Sequence, residues 1–450
     1  MKFEISVGAR AILQTLMDGG YEACLVGGCV RDLLRGAVPH DWDICTSARP
    51  EETAACFAHR RVLETGMKHG TVTVLEDGEP YEITTYRTEG PYSDSRRPDY
   101  VTFVSSLEAD LARRDFTMNA IALKLDGSLQ DPFGGTEDIK YGVIRCVGDP
   151  ACRFQEDGLR IMRALRFGAS FGYKIEEKTA QAIRAYQKVL RHVAVERIQV
   201  ELCKLLTGRW AGAILRHYPD VLCQFWPQLR PLVELEQNNP WHCWGGWEHT
   251  ICALEAVPAD LPLRLAVLLH DIGKPGCKST AETGVDHFYG HAEAGAELAD
   301  GMLRTLKFDN KTRERVVILV KRHDLPLSEY SIRRWLGRLG AETFFQLLEV
   351  KRADGMGQAY ELVKDRLAEL EEMRAKAEEI VAQGQCFSLK DLAVNGRDVI
   401  AAGVAPGPEV GRVLNALLEQ VVCGEIANSR EALLLQLAHC KQDQSSSVKA

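Results

Sequence analysis

The strand-like run Cys24-Leu25-Val26 ends in Gly27-Gly28, and Arg31-Asp32 and Asp41-Trp42-Asp43 follow within twenty residues. A strand that stops at paired glycines and restarts as a helix, here from Val30 to Arg35, leaves room for a phosphate chain against backbone N–H groups, and the helix start favours anions. Arg31 adds positive charge. Side chains alternate along a strand, so Asp41 and Asp43 are predicted on one face with Trp42 buried behind them, close enough to share divalent metals. Two oxygen-ligated Mg²⁺ ions there would activate an attacking hydroxyl and steady a leaving pyrophosphate. Each piece alone also reads as a tight turn or an exposed Asp-x-Asp. In this order and spacing they point to nucleotidyl transfer.

At 450 residues, with 46% hydrophobic and 26% charged side chains, the chain is long enough for two to four domains. It has no 18-residue apolar run, and Met1 to Ser6 carries no apolar signal region before the amphipathic stretch Ala9 to Met17. Neither a signal peptide nor a membrane anchor is expected, and the cytoplasm is the default. The 14 cysteines contain no C-x-x-C pair, which suits reduced core thiols better than a disulfide framework or zinc knuckle.

Thr71 to Leu75, Tyr81 to Tyr86, Ile121 to Leu125 and Val143 to Val147 read as strands, and from Arg153 onward almost everything reads helical. The fold class is therefore a small mixed α/β head followed by an all-α body. Glu82, on the second of these strands, is the candidate third carboxylate, with simple solvent exposure as the alternative. The net charge of −8 runs against RNA handling, but Arg153 to Arg216 holds thirteen Lys/Arg against six Asp/Glu on successive amphipathic helices. Such a stripe can track a phosphate backbone or be a solvated face. The Trp-rich stretch Glu236 to Trp247 marks a junction. Trp241, Trp244 and Trp247 are expected to anchor a domain seam, with base stacking as the alternative.

Leu25 to Gly36 followed by Asp41-Trp-Asp-Ile-Cys-Thr46 resembles the first motif of class II tRNA nucleotidyltransferases, the CCA-adding enzymes and bacterial poly(A) polymerases. Arg113-Arg-Asp-Phe-Thr-Met-Asn-Ala120 resembles the second motif, Asp131-Pro-Phe-Gly-Gly135 the third, Glu156 to Phe167 the fourth and Glu196-Arg-Ile-Gln-Val-Glu201 the fifth. The resemblance implies a nucleotidyltransferase head, residues 1–150, with Asp41, Asp43 and Glu82 catalytic and Mg²⁺ on Asp41 and Asp43. A helical neck, residues 151–235, would bind base and RNA. Nucleotide contacts would come from Gly27, Gly28, Arg31, Asp32, Arg114, Asp115, Asn119, Asp157, Arg160, Arg163 and Arg166. Arg114-Asp115 matches the family pair at the ribose 2′-hydroxyl, with a helix-capping ion pair as the alternative.

Base choice follows from chemistry in the fourth motif. Cytosine and adenine each offer an amino donor beside a ring acceptor, which a carboxylate next to a guanidinium matches. Asp157 and Arg160, three apart at a helix start, are predicted as that pair, or else as a surface ion pair. Guanine and uracil would aim a carbonyl at the carboxylate and leave buried polar groups unpaired. Thr65 to Thr73 looks like the CCA-adding version, and the arginine-rich signature of the poly(A) group is not found. Arg87 to Asp99 reads as a mobile loop. In the resembled family a loop here helps switch the pocket from C to A.

Downstream, His249, His270-Asp271, His291, His323-Asp324 and Asp354 follow the order of the HD phosphohydrolase superfamily, in which a His, His-Asp, Asp set binds a divalent metal on a helical bundle. By this resemblance His249, His270, Asp271 and Asp354 are ligands, and His291 and His323 serve a second metal or phosphate. Lys274 would contact the phosphate. The HD segment is read as residues 236–358. Residues 359–441 would form a C-terminal helical region contacting tRNA, and 442–450 a disordered tail. The expected activity is addition of C, C and A to tRNA from CTP and ATP. The alternatives are a poly(A) polymerase, an enzyme adding only CC or A, and an HD phosphohydrolase with an RNA-binding head.

Overall fold

The computed structural model describes all residues except 1, 2, 64, 91–99, 242, 329, 330, 384–388, 423 and 448–450. The predicted mobile loop therefore lies, from residue 91 to 99, outside the described residues. The chain divides into two compact units, Met1–Arg230 with Thr305–Lys307 and Pro231–Arg304 with Phe308–Ala450.

The first unit opens with the helix Val7–Asp18. It is capped by Ser6 and buries Ala9, Ile12, Leu13 and Leu16, the 3–4 spacing of one helical face. Strands follow, among them β1 (Ala23–Val26), β2 (Asp43–Thr46), β3 (Arg61–Leu63), β4 (Thr71–Glu76), β5 (Glu79–Thr85), β6 (Arg87–Glu89), β7 (Val101–Phe103), β8 (Ala122–Leu123) and β9 (Leu129–Gln130). Seven form one sheet in the order β3-β4-β5-β2-β1-β8-β9, while β6 and β7 pair with each other. Only β2 and β5 run parallel within the large sheet, so it is mixed. β1 lies near the centre and all four of its residues are buried, as its unbroken apolar run requires.

Three local expectations change. The strand carrying the paired aspartates begins at Asp43, and Asp41 lies in the bend before it, with Trp42 half-buried. The run Val143 to Val147 shortens to Val143–Ile144, which pairs with Lys174–Ile175 apart from the main sheet. Beyond it the run changes partner, Cys146 meeting Phe116 in an isolated antiparallel bridge, so no single ladder extends along it. In the neck, Asp157 is extended (φ −141°, ψ 103°) after the helix Pro150–Glu156. The next helix, Leu159–Phe171, starts beyond Gly158. Asp157 and Arg160 thus do not share a helical face.

Among the described residues the second unit is helical apart from one short hairpin, Ser279–Thr280 with Asp286–His287. Among the described residues, no helix is long and apolar enough to cross a membrane. Of the three junction tryptophans only Trp247 is buried, whereas Trp241 and Trp244 are 49% and 48% exposed. The last helix, Arg430–Ser447, runs into the stretch read as a tail. Polar helix formers such as Lys441 and Gln442 look solvated in composition, yet no Gly or Pro interrupts them.

Candidate active site and metal centre

The head site is built around the end of β1. Gly27 has φ +76°, and a Cβ there would sit 3.0 Å from Arg114 Nη1 and 3.4 Å from Asp43 Oδ2. Only glycine lets the chain turn into the helix Gly28–Leu34 with the guanidinium and the carboxylate this close. The parallel register of β2 and β5 sets Asp43 directly beside Glu82. Burial raises the Asp43 carboxyl, Arg114 opposes this, and Asp41 pushes it further up. Partial burial together with Asp43 and Asp41 raises Glu82. Asp43 and Glu82, whose ionisation is disfavoured beside each other and Asp41, form a site that a cation would relieve.

A hydrogen-bonded relay links the motifs behind this face. Arg31 Nη1 donates to Asn119 Oδ1 at 2.8 Å, and Asn119 Nδ2 donates to Asp115 Oδ1 at 3.0 Å. Arg163 Nε then donates to Asp115 Oδ2 at 2.7 Å. Burial works against ionising Asp115, but Arg163 and Asn119 outweigh it and hold the carboxyl down at about 2. Asp32 pairs with Arg31 at 3.0 Å. Arg166 pairs with Glu201 at 2.8 Å. Arg31, Arg163 and Arg166 also surround the buried Phe167 ring, at 5.2, 5.5 and 3.9 Å from its centroid. Arg114 is held at 3.3 Å by Asp110, which is fully buried and which the sequence reading passed over.

The proposed base-reading residues have separate partners. Asp157 accepts both η nitrogens of Arg197, at 3.2 and 2.7 Å, in a bidentate clamp. Arg160 pairs with Glu156 and donates to the carbonyls of Arg153 and Arg113 at 3.1 Å each. The helix break at Asp157-Gly158 is the reason: it turns Asp157 away from Arg160, while Glu156 falls four residues before it. Arg197 was missed, although it stands inside the fifth motif run.

In the second unit, the helix Gly246–Glu255 carries His249, and His270-Asp271 follows the helix Leu261–Leu269. His291 opens the helix His291–Thr305, His323 ends Asn310–Arg322, and Asp354 lies on Ala341–Met356. All six predicted ligands are thereby brought together. Each imidazole places Nδ1 against a backbone carbonyl: His249 on Gly357 at 2.9 Å, His270 on Val267 at 2.7 Å, His291 on Phe288 at 2.8 Å and His323 on Val320 at 2.7 Å. A carbonyl only accepts, so every Nδ1 carries a proton and every Nε2 faces inward. Yet Nε2 of His249 lies 3.1 Å from Nε2 of His270, and Nε2 of His291 lies 3.1 Å from Nε2 of His323. Two ring nitrogens at that distance call for a proton or a cation between them.

Asp271 serves both pairs. Its Oδ2 is 3.3 Å from each of His249 and His270, and its Oδ1 is 3.6 and 3.8 Å from His291 and His323. Asp354 Oδ1 adds a carboxylate 3.2 Å from His249. Burial alone would deprotonate His270, but Asp271 and Asp354 hold it up at about 10, whereas burial beside His270 pushes His323 down to about 3. His249, His270 and Asp271 form one group with metal-ligand spacing, and Asp271, His291 and His323 form another, with Asp271 shared. Lys274 lies 2.6 Å from Asp271, and Gln358 Nε2 donates to Asp354 Oδ1 at 2.8 Å. Gly357 matters because a Cβ there would stand 2.6 Å from His249 Nδ1. Gly357→Ala should therefore displace the imidazole and weaken divalent-metal binding about 10–100-fold, as loss of an outer-sphere partner does. Calorimetric metal titration checks this, and unchanged affinity would show that Gly357 does not seat His249.

Three family models match the chain: the Poly A polymerase head domain over residues 23–145, the RNA and SrmB-binding site of polymerase A over 172–218, and tRNA nucleotidyltransferase domain 2 over 288–437. The CCA-adding enzyme of Lactobacillus helveticus is 37% identical, covering 96% of each chain. That of Bacillus cereus is 36% identical, covering 96% of this chain and 98% of its own. The crystal structure of the Bacillus stearothermophilus CCA-adding enzyme in complex with CTP superposes with a TM-score of 0.72 at 32% identity over 98% of both chains. The Thermotoga maritima CCA-adding enzyme complexed with tRNA shares the fold, with a TM-score of 0.58 at 21% identity. With its motif residues gathered around Gly27 and its relatives matched end to end, the chain belongs to the CCA-adding enzymes of the tRNA nucleotidyltransferase family.

Proposed function

We infer that the head adds C, C and A in turn to the 3′ end of tRNA from CTP and ATP, releasing pyrophosphate without a nucleic-acid template. The observation that carries this reading is the register of Asp43 beside Glu82, with Asp41 close enough to raise both, at a glycine turn shaped for a triphosphate. An oxygen-only set suits Mg²⁺, which when bound lowers the barrier to attack by the tRNA 3′-hydroxyl and neutralises the leaving pyrophosphate. Asp41, Asp43 and Glu82 would hold it. Gly27 and Gly28 leave room for phosphate, while Arg31 and Arg114 supply positive charge beside it. Arg114 and Asp115 face the ribose, with Asp115 kept ionised by the relay through Asn119 and Arg163. Asp32 steadies Arg31, and Arg166 borders the pocket through Phe167.

Base choice rests on Asp157, which accepts the amino group of C or A from within the Arg197 clamp, and on Arg160, which donates to the ring in exchange for its contact with Glu156. We place base and RNA binding in the neck, 151–235, further tRNA contact in 359–441, and the whole protein in the cytoplasm. The test incubates tRNA lacking its 3′ end with each labelled nucleotide separately and together, then sequences the products. Wild type should append CCA and reject UTP and GTP, and Arg197→Ala should erode that rejection by about tenfold, the loss of one oriented hydrogen bond. Products ending in poly(A), in CC or in A alone would replace this reading. An Arg197→Ala variant with unchanged preference would remove the clamp from base selection.

A second reading is favoured by the inward-facing Nε2 atoms of the helical unit: a metal-dependent phosphohydrolase centre. His249, His270, Asp271 and Asp354 fit one divalent ion and Asp271, His291 and His323 a second, the mixed imidazole–carboxylate set suiting a transition metal. When bound, such ions supply a nucleophilic hydroxide and polarise a phosphoryl oxygen. Lys274, buried beside Asp271, offers positive charge to the substrate phosphate.

A further inference from the structure

Opposite charges border the Gly27 turn without pairing. A Cβ at Gly27 would lie 3.0 Å from Arg114 Nη1 and 3.4 Å from Asp43 Oδ2, so the guanidinium and the carboxylate flank one point. Charges of opposite sign that close attract strongly once water is excluded. Among the described residues, however, the ion pair of Arg114 is with Asp110, whose Oδ2 accepts from Nη2 at 3.3 Å. Arg114 Nε is buried without a hydrogen-bond partner. The guanidinium is thus lightly anchored, and after Asp110 the next carboxylate that stabilises its charge is Asp43.

The two oxygens of Asp110 have separate duties. This residue is fully buried on the helix Leu107–Ala112, whose Leu107 and Leu111 pack among Cys24, Val26, Cys45 and Tyr86. Oδ1 takes three donors: Arg113 Nε at 3.0 Å, Arg113 Nη2 at 2.7 Å and the Arg87 backbone N–H at 3.2 Å. Arg113 is itself fixed by Glu89, to which Nη1 donates at 2.7 Å. One oxygen therefore locks the carboxylate into the fold, and the other is left for Arg114. Removing Oδ2 would strand a buried guanidinium, a state costly enough to drive it onto another carboxylate. A divalent ion at Asp43 would then have to displace an ion pair.

We propose that Asp110 is a positioning residue that holds Arg114 off Asp43, so that Asp43 keeps its oxygens for a cation and Arg114 stays available to the nucleotide. The proposal rests on the reading of Asp43 as a cation ligand, and adds the group that keeps this ligand uncapped.

The test reads metal occupancy in the full-length chain rather than turnover. Fe²⁺ with ascorbate and peroxide cuts the backbone beside a bound ion, so fragments ending near residues 41–43 report the head separately from those ending near 271. Asp110→Asn keeps an oxygen for Arg87 and Arg113 but turns an N–H toward Arg114. It should need at least about tenfold more Fe²⁺ for half-maximal cutting at 41–43, as loss of an outer-sphere partner does, with cutting near 271 unchanged. Arg114→Gln should bind Fe²⁺ at least as tightly as wild type. Adding Asp110→Asn to Arg114→Gln should change the affinity by no more than about twofold, because no guanidinium is left to move.

Unchanged affinity in Asp110→Asn overturns the proposal. So does a loss that persists in the double variant, which would make Asp110 a structural residue. The comparison within the Arg114→Gln background decides the second point even if Asp110→Asn alone does not fold. Asp43→Ala tests the underlying reading: cutting at 41–43 like that of wild type would mean that Asp43 holds no ion. If Asp43→Ala abolishes that cutting while Asp110→Asn leaves it intact, the ligand reading stands and the role of Asp110 falls.

Discussion

Asp43→Ala is expected to lower nucleotide addition at least about a thousandfold, which is ~4 kcal/mol of barrier at 1.36 kcal/mol per decade. Asp43 has its place in the head set by the strand that carries it. It begins β2, opposes Glu82 across the parallel ladder, and lies where a Cβ on Gly27 would approach it to 3.4 Å. Its removal relieves the crowding that raises Glu82 and leaves a cation with fewer oxygens. The sheet core beneath, including Cys24, Val26 and Cys45, does not depend on it. Binding of tRNA, measured by gel shift, should therefore stay near wild type while primer extension fails. A variant that keeps a tenth of wild-type turnover would take Asp43 out of the metal-binding set, and one that loses tRNA binding would assign it a structural role instead. Asp41→Ala should change activity in the same direction, although Asp41 sits off the strand and is exposed.

Asp271→Asn tests the helical unit. The amide keeps the shape of the carboxylate but removes the one charge shared by both histidine pairs. Divalent-metal affinity should fall by more than about a hundredfold, beyond the ~10–100-fold typical of an outer-sphere loss. Nucleotide addition should stay within about twofold of wild type, because the two candidate ligand sets, one oxygen-only and one imidazole–carboxylate, lie on different units and share no residue. Elemental analysis after dialysis and the extension assay, run on the same folded sample, decide both points. Retained metal would mean that Asp271 does not bridge the pairs. Lost addition at full folding would mean that the two units are coupled.

Much of the candidate chemistry is legible along the chain because it is local. The strand, glycine turn and helix around Gly27 need only backbone sterics and alternation, and the six metal-ligand candidates of the second unit stand in a recognisable order. The Asp157–Arg160 pairing shows where such reasoning stops. A spacing of three predicts a shared helical face only if the helix is continuous, and the extended backbone at Asp157 breaks it. Arg160 then takes Glu156, and Asp157 takes Arg197 from forty residues away.

The sequence by itself determined the mixed head, the helical body and the glycine turn after β1, which follow from periodicity and glycine sterics, while the candidate ligands of the helical unit came from the resemblance of their order. Tertiary structure alone decided which of those groups meet. Glu82 joins Asp43 through the register of a parallel ladder between strands about forty residues apart, and a one-residue slip would have turned it to the other face. Asn119 links Arg31 to Asp115, and Asp271 stands between two histidine pairs, because helices packed from distant segments converge there. Register and packing are cooperative properties of the whole chain, so no local window of residues contains them.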